Sequence, residues 1–117
     1  MSAAAPTVHL RKVVVLPSGV EPGDMDAEDF GVTVEWAGPF QGRSGGGWAV
    51  RCRHGSSDLS RSGSWTFLVP RFRRWQHRWE HYEDALAAAV AAVDTVTING
   101  RTRAEWAEWH ARFAAHN

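Results

Sequence analysis

A chain of 117 residues, 44% apolar and 22% charged, has the size and make-up of one globular domain rather than a disordered or fibrous polypeptide. Its formal net charge is zero, so bulk charge alone assigns it to no polyanion or membrane surface. The single Cys52 excludes an internal disulfide, and no apolar run approaches the length that spans a bilayer.

A lone thiol without a bridge framework fits a reducing compartment. The opening MSAAAPTVHL lacks the basic start and apolar run of a secretory signal, so the expectation is a soluble cytoplasmic protein with no membrane partner. Twelve of the thirteen basic residues are Arg, with Lys12 the exception, and Ala and Gly are abundant. That bias is typical of GC-rich coding, in a bacterial or phage genome. Seven Trp (36, 48, 65, 75, 79, 106 and 109) give a small core flat building blocks that can each bury roughly 150–250 Å².

In chain order, residues 1–6 read as a frayed end, and TVHLRKVVVL (7–16) as a β-branched first strand stopped by Pro17. Residues 17–30 read as an acidic loop broken by Pro and Gly. GVTVEWAG then alternates, with Val32, Val34 and Trp36 on one face and Thr33 and Glu35 on the other. GPFQGRSGGGW reads as a Gly-rich hairpin loop over 38–47, since it lacks the strand-to-helix context and the Lys-Ser/Thr pair of a phosphate-binding loop. WAVRCRH alternates again, placing Trp48, Val50, Cys52 and His54 opposite Arg51 and Arg53. HGSSDLSRSGS reads as a second polar turn, and SWTFLV (64–69) as a strand ending at Pro70.

RFRRWQHRWEHYEDALAAAVAAVDT satisfies two periods at once. Phe72, Trp75, Trp79, Tyr82 and Leu86 fit a helix, while over 74–81 Trp75, His77, Trp79 and His81 alternate with Arg74, Gln76, Arg78 and Glu80 as in a strand. A helix beginning at Arg71 would gather Arg71, Arg73, Arg74 and Arg78 at its positive end, whereas one beginning near Tyr82 gathers Glu80, Glu83 and Asp84 there. The reading is therefore a strand over about 73–79 and a helix over about 82–93. TVTI is a short strand, NG a turn, and Thr102 with Glu105 forms the capping box of a last helix whose Trp106, Trp109, His110 and Phe113 share a face. The fold class is α+β: a small antiparallel sheet of four to six strands with two helices packed on one face, in a single domain over 1–117.

HRWEH (77–81) matches the H-x-x-E-H spelling of a zinc peptidase helix. Two histidines four apart reach one metal from a helix, but on a strand they lie roughly 13 Å apart. With residues 73–79 read as strand the motif loses its geometry. Cys52, His54 and His77 form the other candidate metal set, without the paired cysteines of a finger site. Cys52 falls on the inward face, where a thiol is an inert small apolar group, and no two carboxylates pair in an apolar setting. The expectation is a non-enzymatic protein with no metal site and no cofactor.

The charges are zoned. Residues 21–35 hold six acids (Glu21, Asp24, Asp26, Glu28, Asp29 and Glu35) and no base, while residues 43–78 hold eight arginines against Asp58 alone. If the Trp-bearing faces turn inward, Arg51 and Arg53 from one strand, and Arg74, Gln76 and Arg78 from another, form an outward plane that Arg43, Arg61 and Arg71 extend. Guanidinium groups grip phosphate with paired donors, which makes nucleic acid the first expected partner. The alternative is a protein-protein interaction module, an inhibitor or adaptor that uses the arginine face, an exposed Trp such as Trp75 or Trp109, or the acidic loop.

Overall fold

A computed structural model of the chain describes residues 11–40 and 46–115. The frayed end expected over 1–6 and the candidate Arg43 lie outside the described residues. The fold is mixed α+β, an antiparallel sheet with helices packed against it.

Five strands run in spatial order: β1 (Lys12–Val15), β2 (Val32–Trp36), β3 (Trp48–Cys52), β4 (Ser57–Leu59) and β5 (Trp65–Phe67). A sixth, β6 (Arg78–Trp79), joins β3 through the pairs Trp48↔Trp79 and Ala49↔Arg78. Because β4 also pairs with β3, at Arg51↔Asp58, β4 and β6 lie end to end along the same edge of β3. That placement brings Asp58 and Arg78 together.

The alternation read in β2 and β3 sets the faces. The register pairs Val32 with Cys52, Val34 with Val50 and Trp36 with Trp48, so these side chains share one face. Against that face lies α2 (Tyr82–Ala92), whose buried Ala85, Ala89 and Ala92 let the helix approach the sheet closely. Phe30, Val32, Val34, Val50, Leu59, Val93 and Val96 complete the core, with Trp48, Trp65 and Trp79 at its margin. Tyr82 packs on Trp48 with ring centroids 5.0 Å apart, and the Trp65 indole N–H donates to Thr95 Oγ1. His81 stands at the cap position of α2 without a side-chain cap bond.

Four local readings need correction. The acidic stretch over 17–30 is not all loop, because Met25–Phe30 forms a short helix, α1, that buries Ala27 and Phe30. The polar turn over 54–64 contains β4. The strand expected over 73–79 is a 3-10 helix, Arg71–His77, followed by the two residues of β6. Its repeat of three puts Arg71, Arg74 and His77 on one face. His77 holds that face to β5 through Thr66 Oγ1 at 3.0 Å, so the segment crosses the face of the sheet opposite α2. The chain makes this crossing after Leu68, a non-glycine residue at φ 50°, a conformation that costs of order 1–3 kcal/mol.

The fourth correction concerns the last helix, whose amphipathic pattern reads as a core-packed face: α3 (Arg103–Ala115) follows the hairpin β7 (Thr97–Ile98) and β8 (Arg101–Thr102). Asn99 and Gly100 turn that hairpin at φ 52° and 78°. α3 reaches the core through Trp106, whose indole donates to Ile98 O, but Trp109 is 40% and Phe113 61% exposed. Its aromatic face is thus largely a surface.

The capping box forms as read: Thr102 N donates to Glu105 Oε1 at 3.0 Å, and Glu105 N donates to Thr102 Oγ1 at 3.3 Å. The Thr102 backbone N–H, then its side chain, holds the Glu105 carboxyl below its ordinary value, with Arg101 adding to the pull. A depressed carboxylate supports the folded helix fully above the ordinary value of 4.5 and loses that support as the pH falls through the depressed one. Amide protection in the first turn of α3 is therefore expected to drop on acidification below about pH 4.5. In Glu105→Gln that acid-dependent step is absent, which hydrogen exchange followed by NMR reads directly.

Candidate nucleic-acid interface

On the sheet face opposite α2, charged side chains from adjacent strands alternate in sign. Lys12 Nζ lies 3.8 Å from Glu35 Oε1, and Glu35 Oε2 lies 3.4 Å from Arg51 Nη1. Arg51 Nε donates to Asp58 Oδ1 at 3.2 Å, and Arg78 Nη1 donates to Asp58 Oδ2 at 3.1 Å. Thr33 Oγ1 donates to Glu35 Oε1 at 2.9 Å. The ladder therefore crosses β1, β2, β3 and β4 and ends on β6.

Arg78 is 2% exposed, and its Nη1 also donates to the carbonyl of His77. Burial pulls its guanidinium below the usual arginine value, Asp58 pulls it back up, and the charges of Arg51 and Arg74 push it down further. A buried guanidinium so placed depends on its carboxylate.

This geometry overturns the expected arginine plane. Arg78 points outward from the core face as read, but it is sealed against Asp58. Arg51 is paired twice, with Asp58 and Glu35. Arg53 is held by Glu28 at 2.9 Å and by the carbonyl of Ala27 at 3.1 Å, which brings one acid of the 21–35 zone onto one arginine of the basic zone. Asp26 of the same zone takes Arg103 instead.

The remaining candidates gather elsewhere. Arg61, Arg71, Arg73 and Arg74 are exposed and form no ion pair among the described residues. Three of them belong to the 3-10 segment, and the fourth joins it because Arg61 N donates to Gln76 O at 3.0 Å. The Arg61 guanidinium sits 5.6 Å from the centre of the Trp75 ring, and Arg73 stands at the same distance over Phe72. Gln76 is exposed beside them, and Ser60, Arg61, Ser62, Trp75 and Gln76 surround a hollow of about 400 Å³.

Sequence reasoning named Trp75 but missed Arg73 and the ring of Phe72 as members of this strip. Phe72 is 73% exposed. It also passed over Asp58, although a single acid among eight arginines is a visible mark of a residue with a neutralising task.

The metal readings find no geometry. His77 ends the 3-10 segment with Nδ1 on Arg73 O and Nε2 on Thr66, while His81 stands beyond β6, so the two are not consecutive turns of one helix. Cys52 faces the core and His77 the opposite side of the sheet. Among the described residues no three His, Cys, Asp or Glu side chains group as metal ligands. Burial, then the charge of Asp58, pushes the Cys52 thiol up to about 11, which keeps it protonated and a poor nucleophile at neutral pH. Among the described residues no helix is long and apolar enough to cross a membrane. Comparison of the chain with protein-family models, curated proteins and solved structures found no match.

Removing one partner of a buried ion pair leaves the other charge uncompensated, at a cost of about 3–5 kcal/mol. Asp58→Ala is expected to lose stability on that scale in urea unfolding, and Asp58→Ala combined with Arg78→Met to regain most of it. Additive losses in the double variant would show that the two side chains do not act as a pair.

Proposed function

We propose that this protein binds single-stranded nucleic acid along the 3-10 segment Arg71–His77 and the neighbouring Arg61. One observation carries the reading: the fold pairs Arg51, Arg53 and Arg78 with carboxylates but, among the described residues, leaves Arg61, Arg71, Arg73 and Arg74 without any, interleaved with the exposed ring of Phe72 and with Trp75. Guanidinium groups track phosphates, and aromatic faces stack bases at about 1–3 kcal/mol each without reading sequence. A duplex keeps its bases stacked inside and offers these rings nothing, so the mixture favours the unpaired strand.

Fluorescence anisotropy with labelled single strand and duplex tests this. Neutralising three or four phosphates of a single strand gives a log–log salt slope of roughly −2 to −3, or a loss on the order of 20- to 50-fold between about 50 and 200 mM salt. The combined variant Arg71→Glu, Arg73→Glu and Arg74→Glu is expected to abolish binding without unfolding, because these side chains are exposed. Absence of binding at the lower salt, or a triple variant that binds like the parent, contradicts the proposal.

A second reading, a protein-interaction module, rests on α3. Trp109 and Phe113 stack at 5.4 Å on the open side of the helix, and Arg101 lies 5.7 Å from the Trp109 ring. Exposed Trp and Arg are frequent anchors of protein interfaces. Trp109→Ala with Phe113→Ala separates the two readings. It leaves oligonucleotide binding intact if the arginine strip acts alone, and it removes capture of a nuclease-resistant protein partner if α3 is the docking element.

A further inference from the structure

Beside the strip, where the 3-10 segment crosses the sheet, lies a separate cleft of about 320 Å³. Arg51 and Arg74 both line it, with the exposed Gly55 and Ser56 of the β3–β4 turn and with Leu68 and Val69. Its volume lies at the small end of ligand sites, with room for a phosphate group and part of the attached sugar.

We propose that this cleft binds a terminal phosphate monoester, so that the protein engages a phosphorylated strand end while the arginine strip holds the nucleotides that follow. The second half of the proposal rests on the strand-binding reading above; the first does not.

Three features of the charge layout support it. Asp58 also lines the cleft, but both of its oxygens are already occupied, one by Arg51 Nε and the other by Arg78 Nη1. Its charge is spent on the buried Arg78 and repels little. Next, Arg51 uses Nε and Nη1 within the ladder and leaves Nη2 without an acceptor among the described residues, while its side chain stays 41% exposed. Finally, the ladder with Arg74 holds four cations (Lys12, Arg51, Arg74 and Arg78) against two carboxylates (Glu35 and Asp58), an excess of two positive charges. A phosphate monoester carries about −1.5 to −2 at neutral pH, whereas a phosphodiester within a strand carries one negative charge. The excess suits a chain end better than its interior. Burial is the main cause of the depressed guanidinium of Arg78, and the charges of Arg51 and Arg74 add to it, a crowding of like charges at this end of the ladder.

The test compares single-stranded oligonucleotides of one sequence bearing a 5′-phosphate, a 3′-phosphate or hydroxyls at both ends, each labelled internally. The parent is expected to favour one phosphorylated end by about tenfold, on the order of one or two charge-assisted hydrogen bonds. Ser56→Asp places a carboxylate on the exposed rim without touching the ladder, and it should erase that preference while leaving hydroxyl-ended strands bound as before. Equal binding of all three strands overturns the cleft and leaves the strip standing. If no strand binds, the strip reading fails, and inorganic phosphate decides the cleft alone: a rise in Tm with phosphate in the parent that is absent from Ser56→Asp keeps it, and no rise sinks it. A preference that survives in Ser56→Asp also counts against the assigned location.

Discussion

The carboxylate of Asp58 organises this fold. It is nearly buried and holds two guanidinium groups, one on each oxygen, from strands that lie on opposite sides of it in sequence. Burying Arg78 without a partner would forfeit several kcal/mol of hydration, and Asp58 is the group that makes its position tolerable. The consequence is architectural. Since Arg78 must meet Asp58, β6 has to lie at the end of β4 along the β3 edge, and the preceding segment has to cross the outer face of the sheet to deliver it.

That constraint also sorts the charges. A chain of zero net charge contains enough acid to neutralise every base, yet the fold spends Glu35 and Asp58 on the sheet, Glu28 on Arg53 and Asp26 on Arg103. No acid is placed beside Arg61, Arg71, Arg73 or Arg74 among the described residues. The electrostatic surface therefore arises from pairing geometry, and composition alone conceals it. The same crossing that brings Arg78 inward puts Arg74 in one cleft with Arg51, so strip and cleft are neighbours by construction.

Much of the framework was legible in the chain. Alternation in 31–38 and 48–54 gave the faces of β2 and β3, the Ala-rich run gave α2, and Thr102 with Glu105 gave the start of α3, because each signal is local and unopposed. Residues 71–79 were not legible in this way. Their alternation is genuine in the letters, but a 3-10 repeat of three also places Arg74 with His77, and the contacts that choose between the periods, His77 to Thr66 and Arg78 to Asp58, join residues 11 and 20 positions apart. β4 escaped notice because a three-residue strand of Ser, Asp and Leu carries no propensity signal, and its role is set by pairing on both sides. The candidate site divided along the same line. Arg61, Arg71, Arg74 and Gln76 belong to the exposed strip, while Arg53 and Arg78, and Arg51 through two of its three nitrogens, are held by carboxylates, because sequence shows which face a residue occupies but not which acid reaches it.

On the strand-binding proposal, pairing, and not position in the basic zone, decides which arginines meet an external anion. Titrating the protein with a short single-stranded oligonucleotide while following the arginine Nε–Hε resonances by NMR tests it most directly. Shifts are expected at Arg61, Arg71, Arg73 and Arg74, with Arg53 and Arg78 unmoved. Comparable shifts at Arg53 and Arg78, or no arginine shift at saturating oligonucleotide, would contradict it.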